Sequence, residues 1–365
     1  MRIALVTESY YPAVDAATTT VKNLADRLID TGHEVLIVAP GPGLASYRRN
    51  RIARIRPLDQ PGRQVQAALE GFAPDLVHVT SPGRLGRKAL KFAERLDVPT
   101  LTVQQSVVND LTSEYWVRKV ADRSDHLVVT CEWMQRRITR FGLDTPELWV
   151  PGVGAAAFNP RLRDDYLHGK WSRKRSPEGP RVVVGYVGSL HKRNGVRRLA
   201  EAAQVPGVRV VVIGDGTQRA WLKDNLPDAK FLGALETGEL ATAMASLDVL
   251  LHPGIEETDC LALREAMASG VPVVAPAAAG ATDVIEHGVT GLLYDPAEDQ
   301  GLRRAVALLA SSADRRAELG AAARVAIEAR DWSVAADELI ATHYAEAIGV
   351  HRRAQPSAQP TLRSA

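Results

Sequence analysis

Short runs of consecutive apolar residues alternate along the chain with segments whose apolar residues recur at helical spacing. Such continuous runs are typical of strands that are buried on both faces of a parallel sheet. In the first half of the chain they are Ile3–Thr7, Val35–Ala39, Leu76–Val79, Thr100–Gln104 and Leu127–Thr130. The helical segments between them are Thr18–Thr31, Gln64–Gly71, Leu85–Leu96 and Glu132–Phe141. This alternation predicts a doubly wound α/β sheet.

A charged stretch at about Asn159–Pro180 interrupts the pattern, which then starts again. The second set of apolar runs is Arg181–Val187, Val208–Ile213, Asp248–His252, Val271–Ala275 and Gly291–Tyr294. We therefore expect two α/β domains, residues 1–165 and 178–331, joined by a polar linker. Ligands of such sheets bind at the carboxyl ends of the strands, so two facing halves predict a cleft between them.

The end of the chain has a different character. Residues 332–349 show a helical pattern, with Trp332, Leu339, Tyr344 and Ile348 as candidate packing residues. Residues 350–365 are rich in Pro, Ser, Ala and Arg, a composition that predicts a disordered tail.

Composition narrows the function classes. The chain has 365 residues, of which 45% are hydrophobic and 24% charged, and its formal net charge is +2. These values describe a globular protein of about two domains, without the basic excess expected of a nucleic-acid binder. No basic-then-apolar leader opens the sequence, and no apolar run approaches the roughly 20 residues that span a membrane. We therefore expect a cytoplasmic protein.

The sequence offers no pattern typical of a metal site. Its two cysteines, Cys131 and Cys260, are far apart in the chain and form no C-x-x-C pair. The nine histidines do not fall at metal-ligand spacings. We expect neither a disulfide framework nor a bound metal.

A basic run lies between the second predicted strand and the second predicted helix of the first half. Its members are Arg48, Arg49, Arg51, Arg54 and Arg56. Such a run could contact an anionic membrane surface, which would place the protein at the inner face of the membrane. The alternative is a solvated strand edge, whose charges prevent pairing with another chain.

Two glutamates, Glu257 and Glu265, lie eight positions apart around the start of a predicted helix. If Thr258 or Asp259 caps that helix, its free N–H groups point into the preceding loop, where they could hold an anion. Two carboxylates beside an anion site are suited to binding sugar or ribose hydroxyls next to a diphosphate. The alternative is an ordinary acidic helix start, which the helix dipole favours.

Other predicted strands also end in loops with candidate chemistry. The segment from Gly188 through Ser189 to Gly195 carries Lys192 and Arg193, which could neutralise a departing diphosphate or form a solvated basic loop. Gly214 and Gly216 permit a close approach of the backbone to a ligand, or simply a tight turn. The first loop precedes a polar helix start near Ala16 that could contact an anion; the alternative is that Thr18 or Thr19 is an ordinary N-cap.

Taken in order, these loops resemble those of the retaining glycosyltransferases of family 4, which have the GT-B fold. The resemblance extends from Met1 to about Gly349 and is strongest to the actinobacterial GDP-mannose-dependent α-mannosyltransferases. It is carried by the segments TESYYP, PDLVHVTSP, GVGAAAFNP, GYVGSL, VIGDGT, FLGAL, HPGIEETDCLALREAMASGVPVVAP and HGVTGLL. The paired glutamates followed by Ala-Met-Ala-Ser-Gly are the most specific part.

The resemblance implies two facing Rossmann-like domains and a C-terminal helix, residues 332–349, that crosses back to the first domain. It implies transfer of a hexosyl group, mannosyl from GDP-mannose, to an unidentified acceptor such as a lipid or small glycoside, without a cofactor or an obligatory metal. By the same resemblance, Glu257 contacts sugar hydroxyls and Glu265 contacts the nucleotide ribose. The remaining implied donor contacts are the amides of Thr258, Asp259, Cys260 and Leu261, the base pocket at Leu232 and Gly233, and the rim at Gly188, Gly214 and Gly216. Gln105 falls beside the reacting sugar.

The chain also departs from the family's pattern. Ser189 and Asn194 stand where the family has the Arg and Lys that hold the diphosphate, although Lys192 and Arg193 could reach the same place. Ala16 replaces a glycine of the first loop, Val107 an aspartate, and Asp259 and Cys260 a phenylalanine and a glycine. These departures leave a second hypothesis, a catalytically impaired relative that acts as a binding or partner subunit.

Overall fold

The computed structural model describes residues 1–13, 15–173 and 180–354. The chain divides into two compact units. The first comprises Met1–Val129, Ile138–Trp149 and Ala336–Ala365, and the second comprises Thr130–Arg137 and Val150–Ala335. Each unit contains its own sheet, which confirms the α/β class and the two doubly wound halves.

The sheet of the first unit has the strand order β3-β4-β2-β1-β5-β6-β7-β8, and all its pairs are parallel except β3 with β4. Its strands are β1 (Arg2–Val6), β2 (Glu34–Pro40), β3 (Ser46–Tyr47), β4 (Asn50–Ile55), β5 (Leu76–Thr80), β6 (Thr100–Gln104), β7 (His126–Val129) and β8 (Glu147–Leu148). Strands β5 and β6 are buried along their whole length, as the continuous apolar runs predict.

The helices of this part of the chain are α1 (Ala16–Asp30), α2 (Pro61–Phe72), α3 (Arg84–Leu96), α4 (Ser113–Lys119) and α5 (Glu132–Thr139). Short 3₁₀ turns at Asp110–Thr112 and Ala121–Arg123 flank α4. Leu85, Ala89, Leu90 and Ala93 of α3 face the core, because apolar residues repeat every three to four positions along it.

The second unit holds a parallel sheet of order β11-β10-β9-β12-β13-β14. Its strands are β9 (Val182–Val187), β10 (Val208–Ile213), β11 (Lys230–Gly233), β12 (Val249–Leu251), β13 (Val273–Pro276) and β14 (Gly291–Tyr294). Its helices are α6 (Asp165–Ser172), α7 (Leu199–Ala203), α8 (Arg219–Asn225), α9 (Thr237–Ala245), α10 (Leu261–Ala268), α11 (Ala281–Val284), α12 (Gly301–Ser311) and α13 (Ala313–Glu328).

The boundary between the units differs from the expected polar linker. Trp171 lies within that stretch and Phe158 directly before it, yet both are buried in the core of the second unit. The Arg324 guanidinium of α13 donates hydrogen bonds to the carbonyl oxygens of Ala155 and Phe158 at 3.0 and 2.9 Å. The main segment of the second unit therefore begins at Val150, because Phe158 and Trp171 attach this part of the chain to that core. Residues 174–179 of the expected linker lie outside the described residues.

The C-terminal helix consists of α14 (Trp332–Glu338), a π-helical segment at Leu339–Tyr344, and α15 (Ala345–Ala354). Its first residues belong to the second unit and its later residues to the first. The prediction of disorder from residue 350 is wrong for residues 350–354, which are helical. His351 accounts for this, because its Nδ1 lies 3.0 Å from the Asp125 carboxylate. Residues 355–365 lie outside the described residues.

In the described part of the chain, no helix is both long enough and apolar enough to cross a membrane.

Candidate functional site

The loop between β12 and α10 contains the paired glutamates. Helix α10 begins at Leu261, and its N-cap residue is Cys260, which has a φ of 52° and makes no side-chain capping hydrogen bond. The expectation that Thr258 or Asp259 caps the helix is therefore wrong. Both side chains are buried instead, because the chain turns through the left-handed Cys260 before the helix starts.

The uncapped start leaves backbone donors available in the first turn of α10. The amides of Leu261, Ala262 and Leu263 have no hydrogen-bond acceptor among the described residues. Unsatisfied N–H groups at the positive end of a helix dipole attract anions. This turn can therefore bind a phosphate group.

Glu257 lies beside that turn. One of its carboxylate oxygens is 3.5 Å from His252 Nε2, and its side chain is 32% exposed. Burial by itself raises the pKa of this carboxyl, but the hydrogen bond and charge of His252, the Cys260 amide and the Arg193 charge together hold the pKa below its ordinary value. Glu257 is thus ionised at neutral pH and can accept hydrogen bonds from ligand hydroxyls.

The backbone of the same loop is held by Gly280. Its amide donates to the Glu257 carbonyl oxygen at 2.9 Å. A Cβ atom at Gly280 would lie 2.7 Å from the Thr258 carbonyl oxygen, so only glycine fits this approach. The sequence predicted a loop here but not its contact, since nothing local links residue 280 to residues 257 and 258.

Arg193 belongs to the same site. It lies in a 3₁₀ turn, Lys192–Asn194, that follows β9, and its side chain is exposed. Its positive charge is among the causes that lower the pKa of the Glu257 carboxyl. In the described part of the chain neither cation has an ion pair. Arg193 is therefore close enough to Glu257 for its charge to act on that carboxyl.

Asn194 and Ser189 shape this turn. The Asn194 Nδ2 donates to the Ser189 carbonyl oxygen at 2.9 Å, and the Tyr186 hydroxyl donates to the same oxygen at 3.0 Å. Gly195 follows with a φ of 67°, and a Cβ atom there would lie 2.5 Å from the Pro253 carbonyl oxygen. The loop that carries Arg193 is thereby packed against the start of the loop that carries Glu257.

Gly188, Gly214 and Gly216 lie together at the carboxyl ends of β9 and β10. Gly188 and Gly214 have φ values of 146° and 131°, and a Cβ atom at Gly214 would overlap the Gly188 carbonyl oxygen. The Gly214 amide donates to the carbonyl oxygen of Gly233 at 2.7 Å, which brings the end of β11, with the half-buried Leu232, to the same rim. These residues form one backbone-lined edge.

Glu265 lies in the second turn of α10 and is only 7% exposed. Burial alone raises the pKa of its carboxyl to about 8, since no described cation or donor compensates for the lost hydration. A buried carboxyl without a partner inside the protein is suited to binding the hydroxyl groups of a ligand.

Asp259, Cys260 and Arg264 form a buried polar group behind the loop. The Arg264 Nε donates to the Asp259 carbonyl oxygen at 3.1 Å, and both residues are at most 6% exposed. Burial, assisted by the charge of Glu257, raises the pKa of the Asp259 carboxyl to about 7. Asp259 and Cys260 thus stabilise the loop from inside the protein. Arg264 could not be predicted from the sequence, because it lies on a helix face whose other residues are apolar.

In the first unit, the structure places Gln105 after β6, where it is 5% exposed. Its Nε2 donates to Thr20 Oγ1 on α1 at 3.3 Å. Ala16 is the first residue of α1, whose N-cap is Asp15 and not Thr18 or Thr19: the Asp15 carboxylate accepts from the Thr18 amide at 2.8 Å. Gln105 and Ala16 therefore both lie near the N-terminal half of α1.

The basic run of the first unit is largely engaged within the protein. Arg48 pairs with Asp26 and Asp30 at 3.0 and 2.6 Å. Arg54 donates to three backbone carbonyl oxygens, and Arg56 pairs with Asp59 at 3.0 Å. Only Arg49 and Arg51 of this run have no such contact among the described residues, so its interpretation as a membrane-binding patch is weakened.

Comparison with known families gives two matches. The family described as "Glycosyl transferases group 1" matches residues 169–326, and the one described as "Glycosyltransferase Family 4" matches residues 17–155. A GDP-mannose-dependent alpha-mannosyltransferase of Mycolicibacterium smegmatis is 37% identical to this chain, over 96% of this chain and 98% of its own length. An enzyme of the same description from Corynebacterium glutamicum is 33% identical, over 97% of this chain and 91% of its own length.

Solved structures resemble the fold. Anabaena HepE in complex with UDP-glucose superposes with a TM-score of 0.77 and 19% identity, covering 94% of this chain and 100% of that one. Sucrose-phosphate synthase of Thermosynechococcus elongatus superposes with a TM-score of 0.75 and 18% identity, covering 94% of this chain and 98% of that one.

Proposed function

We propose that this chain, which belongs to the family 4 glycosyltransferases of the GT-B fold, transfers a mannosyl group from GDP-mannose to an acceptor hydroxyl with retention of configuration. The observation that carries the proposal is the arrangement in the second unit of uncapped α10 amides, an ionised Glu257 and a nearby Arg193. Amides and a cation suit a diphosphate, and an exposed carboxylate suits sugar hydroxyls.

The first turn of α10 binds the diphosphate of the donor. Its amides supply fixed dipoles that need no reorganisation as negative charge develops on the leaving group. The carboxylate of Glu257 accepts hydrogen bonds from the sugar hydroxyls and so orients the anomeric carbon.

Arg193 supplies the positive charge for the leaving nucleoside diphosphate. Ser189 cannot do so, and Asn194 donates its amide to the Ser189 carbonyl oxygen instead. A guanidinium can bind two phosphate oxygens at once, which compensates for the absence of cations at positions 189 and 194.

Glu265 binds the ribose. Its buried carboxyl has no partner among the described residues, and two adjacent ribose hydroxyls would satisfy it. The rim of Gly188, Gly214, Gly216, Leu232 and Gly233 lines the path toward the base.

The donor follows from the relatives. Both actinobacterial relatives are described as GDP-mannose-dependent, and their similarity extends over nearly the whole chain. The same extent disfavours the alternative of a catalytically impaired binding subunit. No metal is required, because Arg193 and the α10 amides provide the electrostatic stabilisation that a metal would otherwise supply.

The test is isothermal titration calorimetry of the full chain with GDP-mannose, with UDP-glucose as the matched alternative donor and mannose 1-phosphate as a fragment. We expect GDP-mannose to bind most tightly and its slow hydrolysis to release GDP. Tighter binding of UDP-glucose would overturn the choice of donor. Failure of every sugar nucleotide to bind at millimolar concentration would overturn the transferase proposal itself.

A lipid acceptor would require contact with a membrane surface, for which α3 is better suited than the run at residues 48–56. Its basic residues recur at helical spacing opposite the buried face, namely Arg84, Arg87, Lys88, Lys91 and Arg95. Such a stripe attracts anionic headgroups at about 1 kcal/mol per cation.

Sedimentation with vesicles containing phosphatidylinositol or phosphatidylserine tests this contact. The double variant Arg84→Glu/Lys88→Glu should lose binding, whereas Arg49→Glu/Arg51→Glu, with the same change in charge, should keep most of it. Equal losses in both variants would mean that net charge alone drives the association.

A further inference from the structure

Two histidines and a glutamate that are remote in sequence converge at one edge of the first unit. His126 opens β7, Glu147 opens β8, and His343 lies in the π-helical segment of the C-terminal helix. The distance from His126 Nε2 to His343 Nδ1 is 3.1 Å. A Glu147 carboxylate oxygen lies 3.3 Å from His343 Nδ1 and 3.7 Å from His126 Nε2.

These three distances match the edges of a tetrahedral coordination sphere. Zinc binds imidazole nitrogen and carboxylate oxygen at about 2.0–2.2 Å, so two ligand atoms on a tetrahedron are about 3.3–3.6 Å apart. Three donor atoms at 3.1, 3.3 and 3.7 Å therefore surround a single point at bonding distance from all of them. We propose that His126, Glu147 and His343 form a binding site for a divalent transition metal of the zinc class.

The surroundings of the three residues favour a cation. The imidazoles of His126 and His343 are 10% and 3% exposed, whereas the Glu147 side chain is 53% exposed, so an ion can enter past Glu147 and retain a water molecule as its fourth ligand. Two imidazoles with a carboxylate are a ligand set that suits zinc and not magnesium or calcium.

The site would fasten the C-terminal helix to the sheet of the first unit. Its neighbours already do so without a metal: the Tyr344 hydroxyl is 2.9 Å from His78 Nδ1, and His351 is 3.0 Å from Asp125. The π-helical turn rotates His343 toward β7 and β8, and such turns are frequent at functional sites. A metal here is structural and is independent of the donor site in the second unit.

The experiment uses the full chain after treatment with a chelator. Calorimetric titration with zinc chloride should show one ion bound per chain, and cobalt(II) should develop the intense visible absorption of tetrahedral coordination. The midpoint of thermal unfolding should rise with zinc and return to its starting value when the chelator is added. Absence of zinc binding at micromolar concentration, or an octahedral cobalt spectrum, would overturn the proposal.

Variants localise the ion. Glu147→Gln changes a half-exposed residue and should leave the fold intact, which far-ultraviolet circular dichroism checks, while weakening zinc binding at least ~10-fold. His126→Gln should abolish the tetrahedral cobalt spectrum. His33→Gln removes an imidazole from the same unit, outside the cluster, and should bind as the parent does. Unchanged affinity in Glu147→Gln, or a loss in His33→Gln as large as in His126→Gln, would contradict the assignment.

Discussion

Helices α1 and α10 both begin after a sheet strand, one in each unit, yet their N-termini are chemically opposite. The start of α1 is closed by Asp15, whose carboxylate accepts the Thr18 amide at 2.8 Å. The start of α10 has Cys260 as its N-cap residue, without a side-chain hydrogen bond, and its first amides have no acceptor among the described residues.

This difference shows how one residue decides what a strand-helix turn can bind. A carboxylate at the N-cap satisfies a backbone donor and neutralises the positive end of the helix dipole, so little attraction remains for a phosphate. An uncapped start keeps both the donors and the dipole for a ligand. In the proposed function the diphosphate of the donor therefore binds at the start of α10, and we expect the start of α1 to have a structural role.

The largest expected effect is at Arg193. Arg193→Ala should lower kcat/KM about 100-fold or more, because it removes the cation that stabilises the leaving diphosphate in the transition state. Steady-state kinetics with GDP-mannose measure this. Lys192→Ala, its matched control, should change kcat/KM only a few-fold, since the proposal gives the diphosphate contact to Arg193. A larger loss in Lys192→Ala would reassign the cation.

A pH dependence should follow from Glu265, whose pKa burial raises to about 8. The ionised carboxylate accepts the ribose hydroxyls, so donor binding must first remove the proton at lower pH. Affinity for GDP-mannose should therefore weaken as the pH falls from 8, by up to about tenfold per unit.

Calorimetry between pH 6 and pH 8.5 checks this dependence. Glu265→Gln should bind more weakly at pH 8.5 and lose the slope, whereas Asp259→Asn, which removes the other buried carboxyl of raised pKa, should keep the slope above pH 7. A parental slope in Glu265→Gln would exclude Glu265 as the ribose ligand.

Removing the cap of α1 tests the other side of the comparison. Asp15→Ala should lower the free energy of unfolding by about 1 kcal/mol, because it leaves the Thr18 amide without its acceptor. Urea-induced unfolding measures this loss, and Asp15→Asn, which can still cap the helix, should recover most of it. The affinity for GDP-mannose should be the same in both variants. A weaker affinity in Asp15→Ala would indicate that the start of α1 also contributes to donor binding.

The smallest expected effect concerns the backbone of the α10 start. Cys260 has a φ of 52°, a conformation that costs a residue with a side chain about 1 kcal/mol more than it costs glycine. Cys260→Gly should therefore be more stable than Cys260→Ala by about that amount, since both lose the buried thiol and only glycine relieves the strain. Thermal unfolding of the two variants, compared at one pH, measures the difference. Equal stabilities would mean that the left-handed turn is not strained.

Local patterns predicted much of the fold. The run Ile3–Thr7 corresponds to β1, Arg2–Val6, and the run Thr100–Gln104 to β6 with the same bounds. Buried strands of a parallel sheet need continuous apolar residues, so their signal lies within five or six consecutive positions. Loops at strand ends were predictable for the same reason, because the strands determine where they occur.

The errors arose where a distant residue decides the local structure. The N-cap residue of α10 is Cys260, in a left-handed conformation, and not the predicted Thr258 or Asp259. The Gly280 amide donates a hydrogen bond to the backbone of this loop. Residues 350–354 remain helical because His351 contacts Asp125, more than 200 positions earlier in the chain. Phe158 and Trp171 are buried in the core of the second unit although charged residues lie close to them in the sequence.

The sequence alone determined the α/β class, the two sheets and the family, since these depend on apolar periodicity and on motifs within short segments. Only the tertiary structure showed that the charge of Arg193 acts on Glu257 and that the start of α10 has no side-chain cap. It also brought His126, Glu147 and His343 together at distances of 3.1 to 3.7 Å. Charges interact, and metal ligands converge, over a few ångströms in space. The number of residues between two positions does not indicate such a distance when they lie on different strands or helices.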